Sequence, residues 1–284
     1  MTRTERIDRF FFAQPNAILR VCALRAMLGA VIAVLVVLGP YGRFHVDMAD
    51  VLYRPTGVLA FLPPLDAVWF DALRMLVIAS AVMVALGVST RASCIALAAA
   101  FFVLNYYVSQ FVGPVWSYNT HLNWFAIALC FVPAGARLSI DERIARVRAR
   151  PSTFDEARGE ASASFVIAFM QLYIALLYTQ AGLAKLLGSG VAWFTSGLTP
   201  LYFTLTDGTA LGRWLAQWPA LFRVFSLASG LIELLFLPLF PFPRIRRALV
   251  IAALLMHVGI HLVMDIPFWH MWLLYPVLFL WKSR

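Results

Sequence analysis

The sequence predicts an all-α fold, a polytopic membrane helical bundle of about eight transmembrane helices, and three observations carry that prediction. Of the 284 residues, 62% are hydrophobic and only 13% are charged, against roughly 25% charged in a soluble domain. The apolar residues come in unbroken runs rather than in stripes of helical or strand period, and mean hydropathy is +0.81. The arginines collect in the short segments between those runs. Lipid is therefore the solvent for most of the chain. A helix needs about 20 apolar residues to cross ~30 Å of hydrocarbon, so this length allows roughly seven to nine spans and no second soluble domain of useful size. One integral-membrane domain over 1–284 is expected, with a polar linker at about 138–163.

Each element follows from local pattern. Residues 3–12 set Ile7, Phe10, Phe11 and Phe12 beside Arg3, Arg6 and Arg9, the composition of a short helix lying in the membrane interface ahead of Pro15. The run 18–38 is too long for a signal peptide, carries Arg20 and Arg25 and lacks a small-x-small cleavage site, so it reads as the first span. Further spans are expected over 69–88, 92–112, 121–133, 164–187, 221–239, 248–264 and 268–281, the fourth with an earlier start at Trp116 as an alternative. Residues 41–68 form a long connection with Asp47, Asp50 and Asp66 and with Pro55, Pro63 and Pro64. Residues 188–219 are half apolar, with Trp193, Trp214 and Trp218, and are expected as re-entrant or amphipathic pieces.

Charge orients the bundle. With the N-terminus in the cytoplasm, that side receives Arg3, Arg6 and Arg9, then Arg91, the arginines from Arg137 to Arg158, Arg244, Arg246 and Arg247, and finally Lys282 and Arg284. The opposite side keeps mainly Arg43, Arg54, Lys185 and Arg213. That is the positive-inside pattern, and it places both termini in the cytoplasm. The net charge of +9 is thus a topology signal and gives no reason to expect a nucleic-acid partner. Cys22, Cys94 and Cys130 each sit alone in an apolar run, as small buried hydrophobes rather than disulfide partners or metal ligands.

Function in such a chain is sought among polar groups at membrane depth, because each costs free energy unless paired or facing a wet cavity. Lys185 is one of only two lysines and stands near the outer end of the fifth span. Gln171, Tyr178 and Lys185 recur every seven residues and so share one helix face. Two readings of Lys185 stand: an amine snorkelling to the interface, or one desolvated until it acts as a base. Glu233 is the one acid deep inside a span; a structural pairing, with Arg25 or Arg74, is expected for it. His257 and His261 are spaced i, i+4 on the seventh span. That spacing suits two ligands of one metal, but there is no third ligand, and hydrogen bonding in a polar cavity is expected instead, with no metal. His121 opens the fourth span with Tyr118, Asn119 and Asn123. In the eight-span arrangement Lys185, His121, His257 and His261 all fall in the outer half of the membrane, where one outward-facing cavity would gather them.

The same residues carry a resemblance. The stretch Gln171-Leu-Tyr-x4-Tyr178-x3-Gly-Leu-Ala-Lys185-Leu-x6-Trp193, continuing to Gly197, resembles the lysine-bearing helix of the vitamin K-dependent γ-glutamyl carboxylase family and of the broader bacterial family of horizontally transferred transmembrane (HTTM) domain proteins. His257-Val-Gly-Ile-His261-Leu-Val-Met-Asp-Ile-Pro-Phe-Trp-His-Met271 resembles that family's late histidine helix. Phe131-Val-Pro-x4-Leu-Ser-Ile-Asp141 is similar to its exit from the fourth helix, and Glu233 matches an acid of its sixth.

The resemblance implies a lysine at Lys185 that deprotonates a reduced quinone (vitamin K hydroquinone or menaquinol). Reaction with oxygen then yields an epoxide and a strong base for carboxylation, in a bacterial inner membrane with the site on the extracytoplasmic side. It implies Lys185 and His257 as catalytic residues, the histidine as a hydrogen-bond donor to the quinol or its oxyanion. A quinol-binding set follows: Gln171, Tyr178, Trp193, His261 and His121. Two departures accompany it. The family carboxylase has a second lysine where this chain has Ala184, and it has a large soluble C-terminal region, whereas the expectation here is of a short form whose last span ends just before Arg284. Two functions therefore stand: a carboxylase-like membrane protein that oxidises a quinol, or a non-catalytic accessory protein for maturation or export of a small secreted peptide. The partners implied are the lipid bilayer, such a peptide, or a protein supplying the missing soluble region.

Overall fold

The computed structural model describes residues 2–39, 41–42, 52–54, 61, 63–112, 119–148 and 155–281. Arg43, Asp47, Asp50, Pro55, Trp116, Tyr118, Lys282 and Arg284, which carried expectations above, lie outside the described residues. Within the described residues the chain is helical and contains no strand. Two compact units divide it, one within Met1–Met170 and the other within Gln171–Lys282.

In the first unit, α1 (Arg3–Phe12) is the expected amphipathic helix, started by a capping box between Thr2 and Glu5. α2 (Ala17–Leu38), α3 (Ala67–Leu86) and α4 (Thr90–Val112) follow as neighbours in space, and α5 (Thr120–Leu129) packs on α2 and α4. Arg25, fully buried in α2, donates to the Val84 carbonyl at 2.6 Å and the Leu138 carbonyl at 2.5 Å. Tyr41 donates to Asn105 at 2.7 Å and accepts from Asn119 at 3.2 Å.

The 138–163 linker contains α6 (Ile140–Val147) and the first turns of α7 (Glu156–Ser189). Ser139 caps α6 by accepting from the Glu142 amide, while Asp141 reaches across to accept from the Ser89 amide and from both the amide and the hydroxyl of Thr90.

The division between the units falls inside α7, whose 34 residues make a helix about 51 Å long. In the second unit its latter part is followed by three short helices, α8 (Ala192–Ser196), α9 (Leu198–Asp207) and α10 (Ala210–Leu215), where the half-apolar segment was expected to break into pieces. α11 (Pro219–Leu239), α12 (Pro243–Met264) and α13 (Trp269–Phe279) complete the unit. Among the described residues six helices are long and apolar enough to cross a membrane: α2, α3, α4, α7, α11 and α12. The fourth and eighth expected spans correspond to α5 and α13, of 10 and 11 residues, about half a bilayer in length. Large apolar side chains such as Val68, Leu187 and Leu255 lie exposed on these helices, as in an integral membrane protein whose outer surface meets lipid.

Candidate functional site

The heptad face of α7 turns inward within the second unit. Gln171 donates through Nε2 to the Leu278 carbonyl of α13. Tyr178 is buried, its hydroxyl 2.7 Å from Nε2 of His257 on α12, and it accepts from the Tyr275 hydroxyl of α13 at 3.0 Å. Its ring stacks on Phe236 with centroids 4.7 Å apart. Lys185 ends the series 2.5 Å from Oε1 of Glu233 on α11.

Local sequence makes that last contact reachable. Gly182 stands where α7 passes α11, and a Cβ there would lie 3.0 Å from the Glu233 Cβ and 3.1 Å from the Leu234 side chain. Glycine lets the helices close up, and Lys185, three residues on, then meets the carboxylate. Gly197, with φ +68°, turns the chain from α8 into α9; a Cβ there would sit 2.5 Å from the Arg223 amide nitrogen. That turn fixes α8, which carries Trp193 with its ring centroid 4.4 Å from Nζ of Lys185. The Lys185 side chain therefore ends between a carboxylate and an aromatic face.

Beside the pair is a cavity of about 560 Å³, within the range of small-molecule sites. Its walls come from α9, α11 and α12, with Phe203, Ile232, Met256 and Ile260 among the apolar contributors, and Phe268 closes one side. The polar groups on it include Lys185, Glu233, Ser226 and Ser229. Glu233 Oε2 and Ser226 Oγ are both buried and without a hydrogen-bond partner. The Ser229 hydroxyl is satisfied, donating to the Ser226 carbonyl at 3.0 Å.

The structure thus brings Lys185 and Trp193 to one cavity. His257 and Tyr178 stand behind its wall, with the His257 ring 4.4 Å from that of Phe268. His261 does not line the cavity; it is half-buried, with Nδ1 3.7 Å from Asp265, and its ring lies near Trp272. His121 belongs to the first unit, buried edge-on to Phe125 with centroids 5.7 Å apart. The expected arginine partners of Glu233 are corrected to Lys185. Arg25 is committed to carbonyls within its own unit, and Arg74 donates to the Val36 carbonyl at 3.4 Å. Ser226, Phe268 and Tyr275 were not foreseen. A serine or an aromatic in an apolar span has no pattern that marks it, whereas Glu233 stood out as an acid at membrane depth.

A family model, the HTTM domain, matches residues 14–282. The chain belongs to the HTTM family. No curated protein and no solved structure matches it. The motifs that carried the resemblance have physical roles in this HTTM protein. The lysine stretch supplies Tyr178, Gly182, Lys185, Trp193 and Gly197, each with a contact described above. The Leu-Ser-Ile-Asp141 exit ties the start of α6 to that of α4.

The reduced quinone that the resemblance implied fits what the second unit offers. An apolar chamber suits a ring and a prenyl tail. The unpartnered Glu233 Oε2 and Ser226 Oγ are polar atoms of the kind a quinol hydroxyl satisfies.

Proposed function

We propose that this HTTM protein is a carboxylase-related enzyme of a bacterial inner membrane that takes a reduced quinone into the second unit's cavity and uses the Lys185–Glu233 pair as its basic centre. The observation that supports this reading most is a charged pair 2.5 Å long on the wall of a largely apolar cavity of about 560 Å³. A buried ion pair is weak support for stability as such, since well-packed apolar residues serve as well or better, so its retention argues for use. When bound, the quinol supplies the reducing equivalents that convert one molecule of oxygen into a quinone epoxide and water.

The chain's own residues bind, orient and move a proton. Phe203, Met256 and Ile260 exclude water from the chamber, which strengthens every electrostatic contact inside it. Trp193 and Glu233 fix the ammonium of Lys185 in place. Tyr178 holds the His257 ring through Nε2, and Phe268 separates that ring from the chamber. The charge asymmetry of the loops supports an extracytoplasmic position for the Lys185 end of α7.

The test supplies reduced menaquinone or vitamin K hydroquinone with oxygen to the purified protein in nanodiscs and follows epoxide by chromatography. Lys185→Ala, which removes the cation beside Glu233, is expected to lower the rate by at least about 100-fold, the scale of a lost charge-stabilising or acid–base group, and Lys185→Arg, which retains a cation there, to lower it less. A folded parent that makes no epoxide from several quinols, with candidate peptides added, would replace this reading with the accessory role in maturing or exporting a secreted peptide.

A further inference from the structure

Resting on the quinol reading above, we propose that the atom receiving the ligand's proton is Oε2 of Glu233, and that Lys185 remains an ammonium throughout as counter-ion to the anion left behind. Nζ of Lys185 is already engaged, 2.5 Å from Oε1 and facing the Trp193 ring at 4.4 Å. An ammonium has no lone pair with which to take a proton. Oε2 of the same carboxylate is the reverse case: an acceptor, buried and unpartnered, on a side chain that lines the cavity. Ser226 adds a second unpartnered polar atom seven residues earlier on α11, and so on the same helix face as Glu233.

The charges balance on this route. Before transfer the site holds an ammonium, a carboxylate and a neutral dihydroxy-aromatic ligand. The ligand's O–H bond breaks, an Oε2–H bond forms, and the electron pair stays on the ligand oxygen. After transfer the site holds an ammonium, a neutral carboxylic acid and a phenolate-type anion. Net charge is zero before and after, no electron moves, and no further reactant is needed. The alternative, a neutral Lys185 beside an ionised Glu233, leaves a buried carboxylate without its counter-charge, an unfavourable state. Lys185 therefore acts by electrostatics and Glu233 by proton transfer. Ser226 orients the hydroxyl from its position on the same helix face.

Difference infrared spectroscopy tests this with menadiol, 2-methyl-1,4-naphthohydroquinone, added without oxygen to the parent and to variants in nanodiscs, while equilibrium dialysis measures binding. Binding is expected to raise a protonated-carboxyl C=O band that shifts in D2O, is absent in Glu233→Gln and is displaced in frequency in Glu233→Asp. Ser226→Ala is expected to weaken menadiol binding roughly two- to tenfold, the range of one lost hydrogen bond. The glutamate-to-aspartate variant keeps a carboxyl, so it decides the assignment even where the amide variant does not fold. Menadiol that binds the parent and raises no such band overturns the proposal and leaves the quinol reading standing. A band that persists unmoved in the Glu233 variants assigns the proton to another carboxyl and also overturns it. A folded parent that binds no menadiol removes the quinol reading itself, and this inference with it.

Discussion

Tyr178 makes two hydrogen bonds through one oxygen, to Nε2 of His257 at 2.7 Å and from Tyr275 at 3.0 Å, and it is buried. Phenylalanine at this position would keep the ring stack on Phe236, whose centroid is 4.7 Å away, and would strip both bonds. A buried polar group left without its partner costs about 1–3 kcal/mol. Tyr178→Phe is therefore expected to lower unfolding stability by about that much, read as a lower thermal midpoint in detergent. An unchanged midpoint would mean that the Tyr178 hydroxyl is not what holds His257. The seven-residue recurrence of Gln171, Tyr178 and Lys185 was legible from sequence because the helix period alone places them on one face. Their partners were not legible: Leu278, His257 and Glu233 lie 107, 79 and 48 residues away, and nothing in one sequence states which distant helix a face will meet. Glu233 shows the same limit. Its need for a cation followed from its depth, but Arg25 and Arg74 were as eligible as Lys185 until the packing was known.

Among the elements, the turn between α3 and α4 depends on a carboxylate borrowed from α6. Asp141 accepts from the Ser89 amide at 2.9 Å, the Thr90 amide at 2.7 Å and the Thr90 hydroxyl at 2.8 Å, while its own amide donates to the Gly87 carbonyl at 3.0 Å. Partial burial pushes the Asp141 carboxyl up, but the Thr90 and Ser89 hydrogen bonds, with Arg25 nearby, hold it below its ordinary value. Since the folded value is the lower one, its contribution is complete above the ordinary carboxylate range and is lost as pH falls through the lowered value. Asp141→Asn is expected to be less stable than the parent at neutral pH by about 1–3 kcal/mol. The gap should narrow below about pH 4, where the parent's carboxyl takes up its proton. Thermal midpoints measured against pH check both statements, and a gap that widened on acidification would contradict them.

The Leu-Ser-Ile-Asp141 stretch stood out only through the family resemblance, and the reach of Asp141 to another helix was not legible in it. Helix length was the other gap. Hydropathy sees that residues 121–133 and 268–281 are apolar, but α5 gives way to turns from Cys130, and α13 carries Pro276 inside its 11 residues. Hydropathy is blind to where backbone hydrogen bonding stops.

For the whole molecule, the distribution of charge makes a claim that a single helix can test. α7 runs unbroken from Glu156 to Ser189. The arginines from Arg137 to Arg150 precede it, Arg158 stands in its first turn, and Lys185 is the lone basic residue in its last two turns. Positive charge stays on the cytoplasmic side because short basic loops resist translocation, so the start of α7 is expected in the cytoplasm and its end outside. Ala157 and Gly188 are exposed near these two ends, and a Cβ at Gly188 meets nothing within 4 Å, so cysteine fits there without disturbing packing. Native Cys22 and Cys94 are buried, and the half-buried Cys130 is replaced by serine in both variants so that the labelling background stays low. Gly188→Cys is expected to react with a membrane-impermeant thiol reagent in intact cells, and Ala157→Cys only after the membrane is opened. The opposite pattern would invert the bundle and move the Lys185–Glu233 pair to the cytoplasmic leaflet. A secreted peptide would then have no access to it, and quinol chemistry alone would survive as a function. Labelling of both positions in intact cells would mean that α7 does not cross the bilayer, and the charge argument would fail with it.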